Sequence, residues 1–109
     1  ILVRFEELLH GYFESDLPQT KGLPTVQYCA ERLCLSPNYF GDLIKRETGR
    51  TAQEHIRAKL IDAAKELVFD GSMTIGEVAY ALGFKYPQHF TRLFKQVVGC
   101  SPQEYRKAN

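Results

Sequence analysis

The sequence predicts an all-α fold in which seven helices form two helix-turn-helix subdomains joined by a long linker helix. The first observation is an internal repeat, because the segment from Thr25 to Gly49 is similar to the segment from Thr74 to Gly99, about fifty residues later. The second is the pattern within each copy, in which a short helix, a tight turn and a second helix follow one another. The third is a long apolar stripe at helical spacing over 51–69, between the copies. A helix, a turn and a second helix are typical of domains that enter the DNA major groove.

Residues 1–24 are predicted to form an amphipathic helix followed by a loop. Apolar side chains at helical spacing predict the helix over about 2–15, and Pro18 and Gly22 predict a loop that reaches Pro24. The segment carries two basic and four acidic side chains. We expect it to cover the first subdomain or to form the junction to a further domain of the chain.

The first helix-turn-helix is predicted over 25–50. Ser36 and Pro37 are an N-cap followed by proline at the first helical position, so a recognition helix is expected over about 37–48. Gly49 is expected to end this helix. Its predicted core consists of Val26, Cys29, Leu33, Phe40, Leu43 and Ile44.

The linker helix is predicted over 51–71, where Thr51 and Glu54 form a capping-box pattern. The second helix-turn-helix and a C-terminal helix follow over 72–109, and both begin with capping boxes, Thr74 with Glu77 and Ser101 with Glu104. The second recognition helix is expected over about 87–98, between Pro87 and Gly99. The predicted second core consists of Ile75, Val78, Leu82, Phe84, Phe90, Leu93 and Phe94.

Composition excludes several classes of protein. No apolar run is long enough to cross a bilayer, so no membrane association is expected. Three cysteines and three histidines lack metal-ligand spacing, so we expect reduced thiols in the cytoplasm, with no metal and no cofactor. No carboxylate pair, nucleophile-base pair or phosphate loop is apparent, and an enzyme would need a chance meeting of Cys34 and His55. The first residue is Ile1, which is typical of a segment from a longer protein.

The distribution of charge is more informative than the net charge of +1. Residues 78–103 contain no acidic side chain, whereas Lys85, Arg92 and Lys95 are all basic. A local positive field over one helix favours phosphate binding even when the total charge is small. The alternative is a basic helix face that is simply solvated.

Two stretches carry a resemblance to a known family. The stretch from Ile75 to Phe84, continued by Phe90-x-Arg92-x-Phe94-Lys95 and by Gly99 to Arg106, resembles the second helix-turn-helix of the AraC/XylS family of bacterial transcription regulators. The stretch from Ser36 to Gly49 resembles the first. The resemblance implies that 25–109 is one DNA-binding domain of seven helices. It also implies control of transcription, often activation through RNA polymerase, and a separate sensor or dimerisation domain that this chain lacks.

The outward face of the second recognition helix is predicted to contact DNA. With Phe90, Leu93 and Phe94 inward, six polar residues remain outside: Gln88, His89, Thr91, Arg92, Lys95 and Gln96. The resemblance implies that Gln88, His89 and Arg92 contact bases, and arginine and glutamine can pair with guanine and adenine. We expect Thr91, Lys95 and Gln96 to contact the backbone. For Arg92 a backbone contact is the alternative, and for His89 both interpretations stay open.

The first recognition helix differs at the matching positions. Asn38 and Asp42 are candidate base contacts there, and Ser36, Lys45 and Arg46 are candidate backbone contacts. Asp42 can accept a hydrogen bond from a cytosine amino group, or it can pair with Arg46 one turn later. The contrast between Asp42 and Arg92 leads to the hypothesis that the second subdomain supplies most of the base discrimination.

The predicted function is sequence-specific binding of double-stranded DNA, with the two recognition helices in successive major grooves on one face. A linker helix of this length spans about 28 Å, close to the roughly 34 Å between such grooves. The alternative is a helical protein-interaction module that reuses the helix-turn-helix scaffold.

Overall fold

The structure, a computed structural model, describes residues 1–108. Over this range it contains eight helices and no strand: α1 (Leu2–Glu14), α2 (Leu17–Lys21), α3 (Val26–Arg32), α4 (Pro37–Thr48), α5 (Ala52–Asp70), α6 (Ile75–Ala81), α7 (Pro87–Val98) and α8 (Pro102–Ala108). Helices α3 and α4 form one helix-turn-helix, α6 and α7 form the other, and α5 joins them. The predicted all-α fold is confirmed.

The additional helix, α2, lies where the sequence predicted a loop from Pro18 to Pro24. That part of the prediction is wrong, because Pro18 is in the first turn of α2, where its missing amide hydrogen costs no intrahelical hydrogen bond. The Thr20 hydroxyl donates to the carbonyl oxygen of Asp16 at 3.2 Å, and Gly22 ends the helix. A helix of five residues leaves little periodic signal in a sequence.

The predicted helix boundaries follow from local hydrogen bonds. In the capping box of α5, the Glu54 amide donates to the Thr51 hydroxyl at 3.1 Å, and the Thr51 amide donates to the Glu54 carboxylate at 2.8 Å. Equivalent pairs of bonds join Thr74 with Glu77 and Ser101 with Glu104. These boxes orient the start of α5, α6 and α8.

The first hydrophobic core includes residues from α1 as well as from the helix-turn-helix. Four of its six predicted members are buried, Val26 packs at its edge, and Leu43 is half-buried outside the cluster. Phe5 of α1 is fully buried, and its ring meets Phe40 edge-on at 4.9 Å. The first subdomain is therefore completed by the N-terminal helix.

The second core is built around three aromatic side chains. Phe84, Phe90 and Phe94 are buried together with Val78, Ala79 and Leu82, whereas Ile75 and Leu93 are half-buried at the edge. Helix α5 contributes to both cores, with Ala52 and Ile56 in the first and the stretch from Leu60 to Val68 in the second. Because one helix packs into both cores, it connects the two subdomains through side-chain packing as well as through the chain.

Candidate nucleic-acid interface

Helix α7 presents a polar face opposite its buried aromatic residues. Phe90 and Phe94 are completely buried, so the opposite side of the helix faces solvent. Five predicted contact residues are exposed there: Gln88, His89, Arg92, Lys95 and Gln96. Thr91 is half-buried. Gln88 and Arg92 lie one helical turn apart, so both side chains can reach the same groove.

Two exposed residues directly before α7, Lys85 and Tyr86, were not among the predicted DNA contacts, although Lys85 belongs to the predicted basic stretch. Tyr86 precedes Pro87 and is 46% exposed, and its ring meets the His89 ring edge-on at 5.4 Å. The ammonium group of Lys85 lies 5.6 Å from the centre of the Tyr86 ring. A basic residue and an aromatic residue directly before the proline that starts the helix were the available signal. Tyr86 limits the directions that the His89 ring can take.

Helix α7 packs against helix α8. The Phe94 and Tyr105 rings meet edge-on at 5.6 Å. The Arg106 guanidinium donates to the carbonyl oxygen of Val68 at 2.8 Å and to that of Met73 at 2.7 Å. Arg106 therefore joins α8 to the end of α5 and to the segment that follows it, and has a structural role.

Helix α4 presents the second candidate surface. Phe40 and Ile44 are completely buried, and the predicted contact residues Ser36, Asn38, Asp42, Lys45 and Arg46 are all exposed. Tyr39, at the position that matches His89, is 53% exposed and was not among the predicted contacts. A Cβ atom added to Gly41 would meet nothing within 4 Å. Packing within the protein therefore does not require glycine at this position.

The electrostatic prediction for α4 requires a correction. Across the described residues 1–108, no ion pair joins Asp42 to Arg46, although the two lie one turn apart. Both side chains are exposed, and an exposed pair gains too little to offset the loss of side-chain freedom. Lys45 instead donates to the carbonyl oxygen of Gly49 at 3.1 Å, at the C-terminal end of the helix. The Asp42 carboxylate thus keeps its capacity to accept a hydrogen bond from outside the protein.

Five titratable groups outside these two surfaces have structural roles. Hydrogen bonds from the capping boxes lower the pKa values of Glu54, Glu77 and Glu104, which keeps these carboxylates charged at helix N-termini. Burial raises the pKa of the Cys29 thiol to about 11, so it stays protonated in the core. His55 lies 3.0 Å from the Thr48 hydroxyl and packs against Phe5.

Among the described residues, no three His, Cys, Asp or Glu side chains come together in a group that could hold a metal ion. None of the helices within residues 1–108 combines the length and the apolar character needed to span a membrane. The polar faces of α4 and α7 both combine hydrogen-bonding and basic side chains on a rigid helix. These two faces are therefore the candidate nucleic-acid-binding surfaces.

Sequence comparisons place these features in a family. A family model described as a helix-turn-helix domain matches residues 29–108. The melibiose operon regulatory protein of Escherichia coli K12 is 32% identical over 83 residues, which cover 76% of this chain and 28% of that protein. The HTH-type transcriptional regulator YtdP of Bacillus subtilis is 31% identical over 100 residues, which cover 92% of this chain and 12% of that protein. The chain thus spans only a small part of the length of these curated relatives.

Solved structures share the same fold. The C-terminal domain of the response regulator yesN from Fusobacterium nucleatum superposes with a TM-score of 0.76 at 26% identity, over 93% of this chain and 96% of that one. The DNA-binding domain of AdpA, solved in complex with a target DNA, gives a TM-score of 0.77 at 24% identity, over 95% of this chain and 90% of that one. The chain belongs to the helix-turn-helix family, among the DNA-binding domains of the AraC/XylS regulators.

Proposed function

We propose that this domain binds double-stranded DNA sequence-specifically, as the DNA-binding part of a bacterial transcription regulator. The observation that carries the proposal is the duplicated scaffold, in which α4 and α7 each bury an apolar face and expose a polar face. The buried faces are alike in the two copies, whereas the exposed residues differ. Two different polar faces on one scaffold suit an asymmetric DNA site.

The two recognition helices are proposed to enter successive major grooves on one face of the duplex. Helix α5 has 19 residues and so spans about 28 Å. The longest dimension of the domain is 41 Å, which is enough to reach grooves about 34 Å apart. One copy of the domain would then bind both half-sites without a palindrome.

Base reading is proposed for five side chains and backbone contact for six. Gln88, His89 and Arg92 on α7, with Asn38 and Asp42 on α4, would contact bases. Because Asp42 has no ion pair with Arg46, its carboxylate can accept from a cytosine amino group. The residues proposed to contact phosphates or sugars are Ser36, Lys45, Arg46, Thr91, Lys95 and Gln96. The Ser36 oxygen accepts from the Tyr39 amide at 3.2 Å, so the hydroxyl hydrogen remains to donate to a phosphate.

Selection of bound sequences from a random DNA pool tests this proposal. We expect a preferred site with two blocks of specified bases about one helical turn apart. A preferred site of only about five base pairs would mean that one subdomain binds alone. When the binding of Arg92→Ala or Lys95→Ala to the selected site is measured, Arg4→Ala, at an exposed position of α1, is the control for the loss of one positive charge away from the recognition helices.

The alternative of a protein-interaction module predicts a different result. A gel retardation assay with mixed genomic DNA at two salt concentrations separates the two functions. DNA binding that weakens steeply with salt supports the regulator, because phosphate contacts release counterions. Failure to retard DNA at low salt would favour the interaction module.

For the full-length protein we propose a cytoplasmic regulator, with a sensor or dimerisation domain in the same chain and contact with RNA polymerase. The greater length of the curated relatives supports the additional domain. A reporter gene placed behind the selected site would test activation, since expression should rise when the full-length regulator is supplied. An unchanged or lowered expression would contradict activation.

A further inference from the structure

The segment from Tyr12 to Gly22, here termed the strap, connects the two subdomains by a route that does not use α5. The Tyr12 side chain is buried, and its ring meets Tyr28 of α3 edge-on at 5.3 Å. Its hydroxyl donates to the carbonyl oxygen of Gly22 at 2.6 Å. One end of the strap is thereby attached to the first helix-turn-helix.

The other end of the strap packs against the turn of the second helix-turn-helix. A Cβ atom added to Gly83 would lie 2.8 Å from the carbonyl carbon of Gly22 and 2.9 Å from the carbonyl oxygen of Pro18. Backbone therefore rests directly on backbone, and Pro18 is among the fully buried residues. Phe13, next to Tyr12, packs into the second core. A contact this close leaves no room for the turn to move toward the strap.

The repeat shows that this contact is specific to the second subdomain. Cys34 occupies the matching turn of the first copy, with a φ of 61°, and its side chain is exposed. Gly83 has a φ of 101°. Both turns need a left-handed residue, but the first accommodates a side chain. The absence of a side chain at Gly83 therefore serves the strap in addition to the left-handed conformation of the turn.

The position of the turn bears directly on the recognition helix. Phe84 follows Gly83 and is buried in the second core, and α7 begins three residues later, at Pro87. A displacement of Gly83 would move Phe84 and with it the start of α7. Through Tyr12 the same displacement is resisted by α3, which packs against α4.

We propose that the strap sets the separation and angle of the two recognition helices, and so the spacing of half-sites that one copy of the domain accepts. Tyr12, Gly22 and Gly83 are positioning residues in this proposal. It rests on the proposed function, because spacing matters only if α4 and α7 bind DNA together. Since α5 is a single helix between the subdomains, the strap supplies the second attachment that resists twisting about the α5 axis.

The test measures the affinity of the 109-residue chain for DNA fragments whose two selected half-sites are moved apart or together in steps of one base pair. Tyr12→Phe removes the hydrogen bond to Gly22 and keeps the ring, and Gly83→Ala adds the obstructing Cβ. Tyr80→Phe is the control for the first, because Tyr80 is exposed and no hydrogen bond of its hydroxyl is seen within residues 1–108. Gly99→Ala is the control for the second, with a φ of 99° and nothing within 4 Å of an added Cβ.

Wild-type protein is expected to prefer one spacing. This preference is measured as the affinity for the preferred spacing divided by the affinity for a neighbouring spacing. Tyr12→Phe should reduce this ratio about fivefold, the size expected for the loss of one hydrogen bond. Affinity for a single half-site should stay unchanged, which a merely structural role would not predict. The two controls should keep the wild-type ratio.

An unchanged ratio in folded Tyr12→Phe, or an equal loss for single half-sites, would overturn the role of the strap. If Gly83→Ala does not fold, Tyr12→Phe decides the matter alone. A wild-type protein that binds no DNA, or that protects only one half-site, contradicts the two-groove proposal itself. The two failures are therefore distinguishable.

Discussion

Gly83→Ala should destabilise the domain considerably more than Gly99→Ala, although both glycines have nearly the same φ angle. Their φ angles are 101° and 99°, so the strain of a left-handed alanine is common to both. Only at Gly83 would the new Cβ overlap other atoms, at 2.8 Å from Gly22 and 2.9 Å from Pro18. The pair of variants separates backbone strain from packing.

The expected magnitudes follow from these two contributions. A left-handed conformation costs an alanine about 1–2 kcal/mol, which is the whole effect expected at Gly99. At Gly83 the obstructing atoms are backbone, so relief requires a shift of the strap, and overpacking of this kind costs about 1–3 kcal/mol more. We therefore expect Gly83→Ala to reduce the free energy of unfolding by roughly 2–5 kcal/mol in total.

Equilibrium unfolding in urea, followed by circular dichroism, measures both variants against wild type. Cys34→Gly tests the contribution of backbone strain in the opposite direction, because it removes a strained left-handed residue whose side chain is exposed. It should raise the free energy of unfolding by a few tenths to about 1 kcal/mol, after the greater unfolded-state freedom of glycine is subtracted. Equal losses for Gly83→Ala and Gly99→Ala would refute the close packing of strap and turn.

Three further predictions concern DNA binding and pH. Arg92→Ala should weaken specific binding by about 1–3 kcal/mol and relax the preference at one base position, and a clearly larger loss for Asn38→Ala in the same titration would contradict the dominance of α7. Lys95→Ala should weaken all sequences alike and lower the salt slope by about 1, whereas a loss at one base position would show that it reads sequence. The pKa values of Glu54, Glu77 and Glu104 are lowered by their capping boxes, so their stabilisation is complete above the unfolded-state pKa and is lost as the pH falls through the lower folded-state pKa. The urea midpoint should therefore change little between about pH 7 and about pH 5, and should decrease as the pH falls below 4.5, the ordinary pKa of these carboxyl groups. Glu77→Gln, which keeps the cap without a charge, should reduce this decrease, and an undiminished decrease would rule out a contribution from Glu77.

The features predicted correctly from the sequence depend on residues close together in the chain. The capping boxes pair side chains three residues apart, and the inward faces of α4 and α7 follow from helical spacing around Phe40 and Phe90. The outward positions of Gln88, Arg92 and Asn38 follow from the same spacing, and their exposure agrees with it. The role of each as a base contact stays a prediction.

The errors have equally specific causes. The loop over 18–24 was predicted because proline interrupts helices in their interior, but Pro18 is in the first turn. The pair of Asp42 and Arg46 has suitable spacing, but spacing permits an exposed ion pair without making it favourable. Tyr86 was missed because its contact with His89 depends on the path of the chain into α7.

The all-α class, the duplicated scaffold, the capped helix starts and the family could all be predicted from the sequence, because periodicity and capping are local and repeat in both copies. Long-range packing places Phe5 in the first core and Phe13 against the second, and brings Gly83 onto the backbone of Gly22. These contacts join residues far apart in the chain, and no local pattern specifies which distant backbone a glycine will meet. The duplicated turns at Cys34 and Gly83 show the difference, since the two positions match in sequence register but only Gly83 packs against the strap.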